Sequence, residues 1–112
     1  MEDPDAKEPK PFVHWIATNI PAGITSLREG VPAAPRLKLP DGVTQGVNSR
    51  GSFGYFGPKP PVGDPPHRYH FQVFALDAEI ELEPGADRQN VLDAIQGHVL
   101  AEGELTGTFQ RE

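Results

Sequence analysis

Three observations predict a mostly β domain with one late helix. Twelve glycines and thirteen prolines among 112 residues leave no room for several uninterrupted helices. Residues 67–76, HRYHFQVFAL, are rich in aromatic and β-branched types and alternate with the period of two that a strand imposes. Residues 87–96, DRQNVLDAIQ, are the one stretch with clear helical spacing. The length supports a single domain, residues 1–112, with a small core.

From the N-terminus, MEDPDAKEPKP at 1–11 is polar and holds three prolines, so it reads as an extended or turn-rich arm. FVHWIATNI at 12–20 reads as a first strand, ended by Pro21 and Gly23. Residues 25–51 carry turn signals (LREG, LPDG, NSRG) and little periodicity, a length that in a small domain marks function or the wall of a site. GYFGPKPPVGDPP at 54–66 has five prolines and three glycines. It is either a rigid surface loop or polyproline ligand, or a stiffened loop whose main-chain groups wall a pocket.

The strand at 67–76 places His67, Tyr69, Phe71, Val73 and Ala75 on one face and Arg68, His70, Gln72, Phe74 and Leu76 on the other. Both faces become apolar toward its end, as in a central strand between two layers. A further strand is expected over Glu79–Leu82, then a turn at Pro84–Gly85. Asp87 is placed to cap the helix and Gly97 to end it, with Val91, Leu92 and Ile95 as its apolar stripe. A last pair, His98–Ala101 and Glu104–Phe109, is expected with bulges at Gly103 and Gly107.

Composition excludes several function classes. Without cysteine there is no disulfide and no thiolate metal site or nucleophile. The net charge is -6, and the acidic excess lies after residue 76, so broad nucleic-acid binding is not expected. The near-neutral first part leaves room for a local anion pocket. No apolar run is long enough for a transmembrane segment, and the acidic start is unlike a signal peptide, so a cytoplasmic location is expected. Motifs for a serine nucleophile elbow, a phosphate-binding Gly-rich loop or a zinc-binding HExxH are absent.

The residues left for chemistry are few. In an extended arm Asp3 and Asp5 would face one side, close enough to share a proton or a ligand hydrogen; the plainer alternative is a solvated acidic patch. His14 lies among apolar neighbours and reads first as a satisfied core or rim residue. Trp15, on the opposite face, reads as core. His67 and Tyr69 share a face directly after the stiff loop, where imidazole and phenol could donate to anion oxygens. Arg68 and His70 point away, which argues against a two-histidine metal site, and His98 reads as structural.

DPDA at 3–6, HW at 14–15, GYFGPKPPVGDPPHRYHF at 54–71, FALD at 74–77 and GHVLAEGELTGTFQR at 97–111 occur in one order over nearly the whole chain. Together they resemble the phosphatidylethanolamine-binding protein family, in particular its bacterial and archaeal YbhB/YbcL (Raf kinase inhibitor-like) branch. The resemblance implies an antiparallel β-sandwich with Greek-key character, N-terminally shortened, because the family usually has several dozen residues before DPDA. It also implies a small pocket for phosphate-like, phospholipid-headgroup-like or carboxylate ligands. Asp3, Asp5, His14, Gly57, Pro58, Pro60, Pro61, His67 and Tyr69 are the matching ligand-binding positions. Lys7 departs from the family's DPDAP, where a proline would stiffen the loop.

The function expected is non-enzymatic binding of a small anion or lipid headgroup, with no catalytic residue, no metal and no cofactor. A protein-interaction module of the kinase- or protease-inhibitor type, with a protein partner or a homodimer, is the alternative. A hydrolase is the third reading and lacks a nucleophile.

Overall fold

In the computed structural model, which describes residues 1–7, 10–83 and 85–112, the strand at 67–76 organises the main sheet. In chain order the elements are β1 (Glu2–Asp3), β2 (Phe12–Val13), β3 (Ala17–Thr18), β4 (Thr44–Gln45), β5 (His67–Leu76), α1 (Arg88–Ile95) and β6 (Val99–Phe109). A four-stranded antiparallel sheet runs β2-β1-β5-β6, and β3 and β4 pair as a second, two-stranded sheet. The predicted mostly β, antiparallel class with one short helix holds among the described residues. That helix has 8 residues, and no described helix is long and apolar enough to cross a membrane.

The arm is not extended throughout. Asp3 Oδ1 accepts the backbone N–H of Asp5 at 2.8 Å, so a carboxylate turn follows β1 directly. Residues Glu8 and Pro9 of the arm lie outside the described residues. The single strand expected at 12–20 is instead two short ones in different sheets. The amides of His14 and Trp15 both reach the carbonyl of Met1, at 2.9 and 3.3 Å. Two donors on one acceptor cannot continue a ladder, so the chain leaves the main sheet there and pairs again at Ala17.

No strand forms over Glu79–Leu82. The amide side chain of Asn19 takes both backbone groups of Ile80: Nδ2 donates to its carbonyl at 2.7 Å, and Oδ1 accepts its N–H at 3.0 Å. A side chain thereby does what a neighbouring strand would do, and Ile80 is buried without one. Of the turn expected at Pro84–Gly85, Pro84 lies outside the described residues, and Gly85 has φ +91°.

The unpatterned stretch 25–51 is organised by buried amides. Gln45, fully buried, accepts from Trp15 Nε1 at 2.8 Å and donates to the carbonyls of Pro32 and Ala34 at 2.7 and 2.8 Å. Asn48 donates to Ser52 Oγ and the Gly54 carbonyl, and accepts the amides of Arg50 and Ser52. Such fully partnered networks hold loops that lack a sheet ladder. Gly46 lets two segments cross closely: a Cβ there would lie 2.4 Å from the carbonyl oxygen of Ala86.

The last strand pair is one continuous strand. β6 pairs with β5 along its length, and the irregularity falls at Ala75/Leu76 rather than at Gly103 or Gly107. Nothing lies within 4 Å of the Cβ position at either glycine. β5 is central in its sheet, yet it is buried only at its start. Beyond His70 no residue is fully buried, with Phe71, Phe74 and Leu76 half-buried and Gln72, Val73 and Ala75 exposed, and β6 is exposed throughout. The buried apolar side chains Val13, Leu37, Val43, Ile80 and Ile95 are accordingly few.

Candidate functional site

The buried start of β5 faces a cavity of about 250 Å³. Asp3, Ala6, Lys7, Phe12, His14, Phe56, Lys59, Pro60, Pro61, His67 and Tyr69 line it. Period-two geometry brings His67 and Tyr69 to one face, β1 lies beside them and supplies Asp3, and the chain just past β2 supplies His14. The proline-rich loop closes the remaining side. It is tied down by Phe56 N–H to the His14 carbonyl at 2.9 Å and by Arg111 Nε to the Pro60 carbonyl at 2.7 Å.

His14 is held neutral. Its Nδ1–H donates to the Phe56 carbonyl at 2.5 Å, its ring stacks on Phe56 at 5.6 Å, and it meets Tyr69 edge-on at 5.3 Å. Burial pushes its pKa below the usual histidine value, against the Phe56 hydrogen bond. With Nδ1 as donor, Nε2 carries the lone pair.

His67 is in the opposite state. Nδ1 meets Asp3 Oδ2 at 2.6 Å and Nε2 meets Asp64 Oδ2 at 2.9 Å. The bond to Asp3 and then that to Asp64 raise its pKa, overcoming the desolvation that opposes the charge. Two carboxylate acceptors fit a ring that donates from both nitrogens, an imidazolium.

Tyr69 is 2% exposed, and its hydroxyl is a buried polar atom without a hydrogen-bond partner among the described residues. Burial, followed by the charges of Asp3 and Asp5, pushes the phenol up to about 12. It therefore remains a neutral donor over the physiological range.

The candidate residues separate into groups. Asp3, His14, Pro60, Pro61, His67 and Tyr69 come together at the cavity. Gly57 and Pro58 lie in the same loop but are not part of its lining. Asp5 also lies outside it: the carboxylate turn sends its side chain to Arg68, which it meets through backbone N–H, Nε and Nη2 at 2.8, 3.0 and 2.8 Å. The Arg68 side chain beside it holds the Asp5 carboxyl well below the usual carboxylate range. Asp3 and Asp5 thus do not share a site, because the arm turns between them rather than running straight.

Sequence reasoning passed over Phe12, Phe56, Lys59 and Asp64. Phe12 was findable, since a strand places it on the face of His14, 4.9 Å from that ring. Phe56 and Asp64 come from the loop, where no periodicity tells which side chains turn inward. Lys7, noticed only as a departure from a motif, lines the cavity.

A family model described as phosphatidylethanolamine-binding protein matches residues 1–110. The chain belongs to the phosphatidylethanolamine-binding protein family. Within that family it is 50% identical over 110 residues to a UPF0098 protein of Methanothermobacter thermautotrophicus, covering 98% of this chain and 70% of that one. A UPF0098 protein of Pyrococcus horikoshii is 45% identical over 112 residues, covering all of this chain and 56% of its own length. Among solved structures, a phosphatidylethanolamine-binding protein homologue of Chlamydia trachomatis superposes with TM-score 0.84 at 35% identity, covering 99% of this chain and 69% of that one. Escherichia coli YbcL does so with TM-score 0.82 at 33% identity, covering 99% and 68%.

Proposed function

We propose that this family member binds small anions, phosphate-like or carboxylate, in the cavity at the start of β5, and carries out no reaction on them. The observation that carries the reading is the Tyr69 hydroxyl, a buried donor on the cavity wall with no partner among the described residues. A buried polar group left unpaired is costly, so a ligand acceptor is the partner its position suits. The charge of the lining supports the same reading. The His67 imidazolium, Lys7 and Lys59 outnumber Asp3, while Phe12 and Phe56 keep part of the wall apolar. The described lining holds no serine, threonine or cysteine, and His67, with both ring N–H groups committed to Asp3 and Asp64, has no lone pair with which to attack.

Titration of inorganic phosphate and phosphoethanolamine by calorimetry, against wild type and Tyr69→Phe, tests the reading. Loss of about tenfold in affinity for the variant, with thermal stability kept, is expected for one buried hydrogen bond to a charged ligand. Equal binding by both folded proteins, or binding by neither, removes the assignment.

A further inference from the structure

We infer that Lys7 and Lys59 form a cationic rim on the pocket that selects phosphate esters whose second group is anionic, such as a carboxylate, against zwitterionic ones that carry an ammonium. This rests on the anion-binding reading above and names the ligand class that the same site prefers. The two lysines reach the lining from separate segments, Lys7 from the turn after β1 and Lys59 from the proline-rich loop. They also lie at a different depth from the Tyr69 hydroxyl. Tyr69 is 2% exposed, whereas the Lys7 side chain is 85% exposed and Lys59 is exposed as well. A phosphate that reaches Tyr69 therefore sits inside, and the lysines stand where the cavity meets solvent. The cavity of about 250 Å³ matches the liquid share of about eight waters, more than one phosphate fills, so an ester has room to extend from Tyr69 toward the rim.

The walls offer little to an ammonium. Asp3 is the one carboxylate among the described lining residues, and both its oxygens are engaged: Oδ1 accepts the Asp5 amide, and Oδ2 meets His67 at 2.6 Å. A ligand cation at Asp3 would stand beside the His67 imidazolium. The Phe56 ring has faces of the kind that hold cations, but the Arg50 guanidinium already lies over it at 4.8 Å from the centroid, and His14 stacks on it at 5.6 Å.

The rim charges are only loosely compensated. Lys7 Nζ is 3.9 Å from an Asp64 oxygen, and Lys59 enters no ion pair among the described residues. An exposed ion pair is worth little by itself. An anionic second group gains from each lysine what an ammonium loses, however, so the rim acts twice on the difference between the two ligands.

The test titrates phosphoglycolate, phosphoethanolamine and inorganic phosphate by calorimetry at neutral pH and about 0.15 M salt, where a Debye length of about 8 Å screens distant charges. The proteins are wild type, Lys7→Gln/Lys59→Gln, and Arg36→Gln/Lys38→Gln, which removes the same charge away from the lining. Phosphoglycolate binding about tenfold tighter than phosphoethanolamine is expected for wild type and the control variant, falling to about twofold in the rim variant while phosphate still binds. No preference for phosphoglycolate in wild type, a preference that survives in the rim variant, or an equal loss in the control variant overturns the role of the lysines and leaves the pocket standing. Loss of all three ligands by the rim variant alone also overturns it, since the lysines would then hold the phosphate rather than the second group. Binding of no ligand by any of the proteins overturns the pocket reading and this inference with it.

Discussion

Two buried histidines a few ångströms from one another's neighbours carry opposite electrostatics, and the difference is set by what each nitrogen meets. His14 meets a carbonyl and aromatic rings, so burial wins and the ring stays neutral. His67 meets two carboxylates, so pairing wins and the ring is charged. A raised folded-state pKa gives His67 a stabilising contribution that is full below the unfolded value of about 6.5 and lost as pH rises through the folded value. A lowered one makes His14 contribute above that value and lose its contribution as pH falls. The two slopes oppose each other, and substitution separates them. In urea unfolding between about pH 5.5 and 8, His14→Asn, which keeps a donor for the Phe56 carbonyl, should lose stability as pH rises. His67→Gln should gain it over the same range. The same slope in both variants would contradict the assigned charge states. The shared face of His67 and Tyr69 was legible in the sequence because strand period alone fixes it. The partnership of His67 with Asp64 was not, since it depends on how a proline-rich loop turns back on the strand it feeds.

At the scale of elements, α1 is where local rules and structure agree. Asp87 accepts the amide of Asn90 at 2.9 Å, and Asn90 Oδ1 returns the bond to the Asp87 amide at 3.0 Å, a reciprocal capping box. The helix then stops before Gly97, at φ +83°. Both ends were readable because a cap acts over three or four residues. The helix is short and buries only Ile95 fully, so its cap should weigh heavily. Asp87→Ala is expected to cost about 0.5–2 kcal/mol in chemical denaturation. A cost near zero would mean that packing of Ile95, rather than the cap, fixes the helix. The strands expected at 12–20 and 79–82 were misread for a common reason. Their residues have strand chemistry, but whether a strand forms depends on which distant groups take the backbone hydrogen bonds. The Met1 carbonyl ends the first, and the Asn19 amide replaces a partner for the second. Neither is visible in a local pattern.

On the scale of the whole molecule, the distal half of the β5–β6 pair stands apart from the core. On the face that continues from His67 and Tyr69, Val73 is 67% and Leu105 71% exposed, and Phe109 is 45% exposed at the other end of β6. Alternation placed Val73 on the face of His67 and Tyr69, but it reports only that a face is apolar, not that a layer covers it. Contiguous apolar surface of this kind binds hydrophobic dyes in a folded protein, where scattered single residues do not. The native 112-residue chain is therefore expected to enhance anilinonaphthalene sulfonate fluorescence at neutral pH while keeping a cooperative melt. Val73→Lys together with Leu105→Lys should remove most of that enhancement. Because both side chains already face solvent, the pair should shift stability by no more than about 0.5 kcal/mol per site. It should also leave phosphate affinity within about twofold, since neither residue lines the cavity. A large destabilisation would show that this face is packed in solution, and undiminished fluorescence would place the dye elsewhere on the molecule.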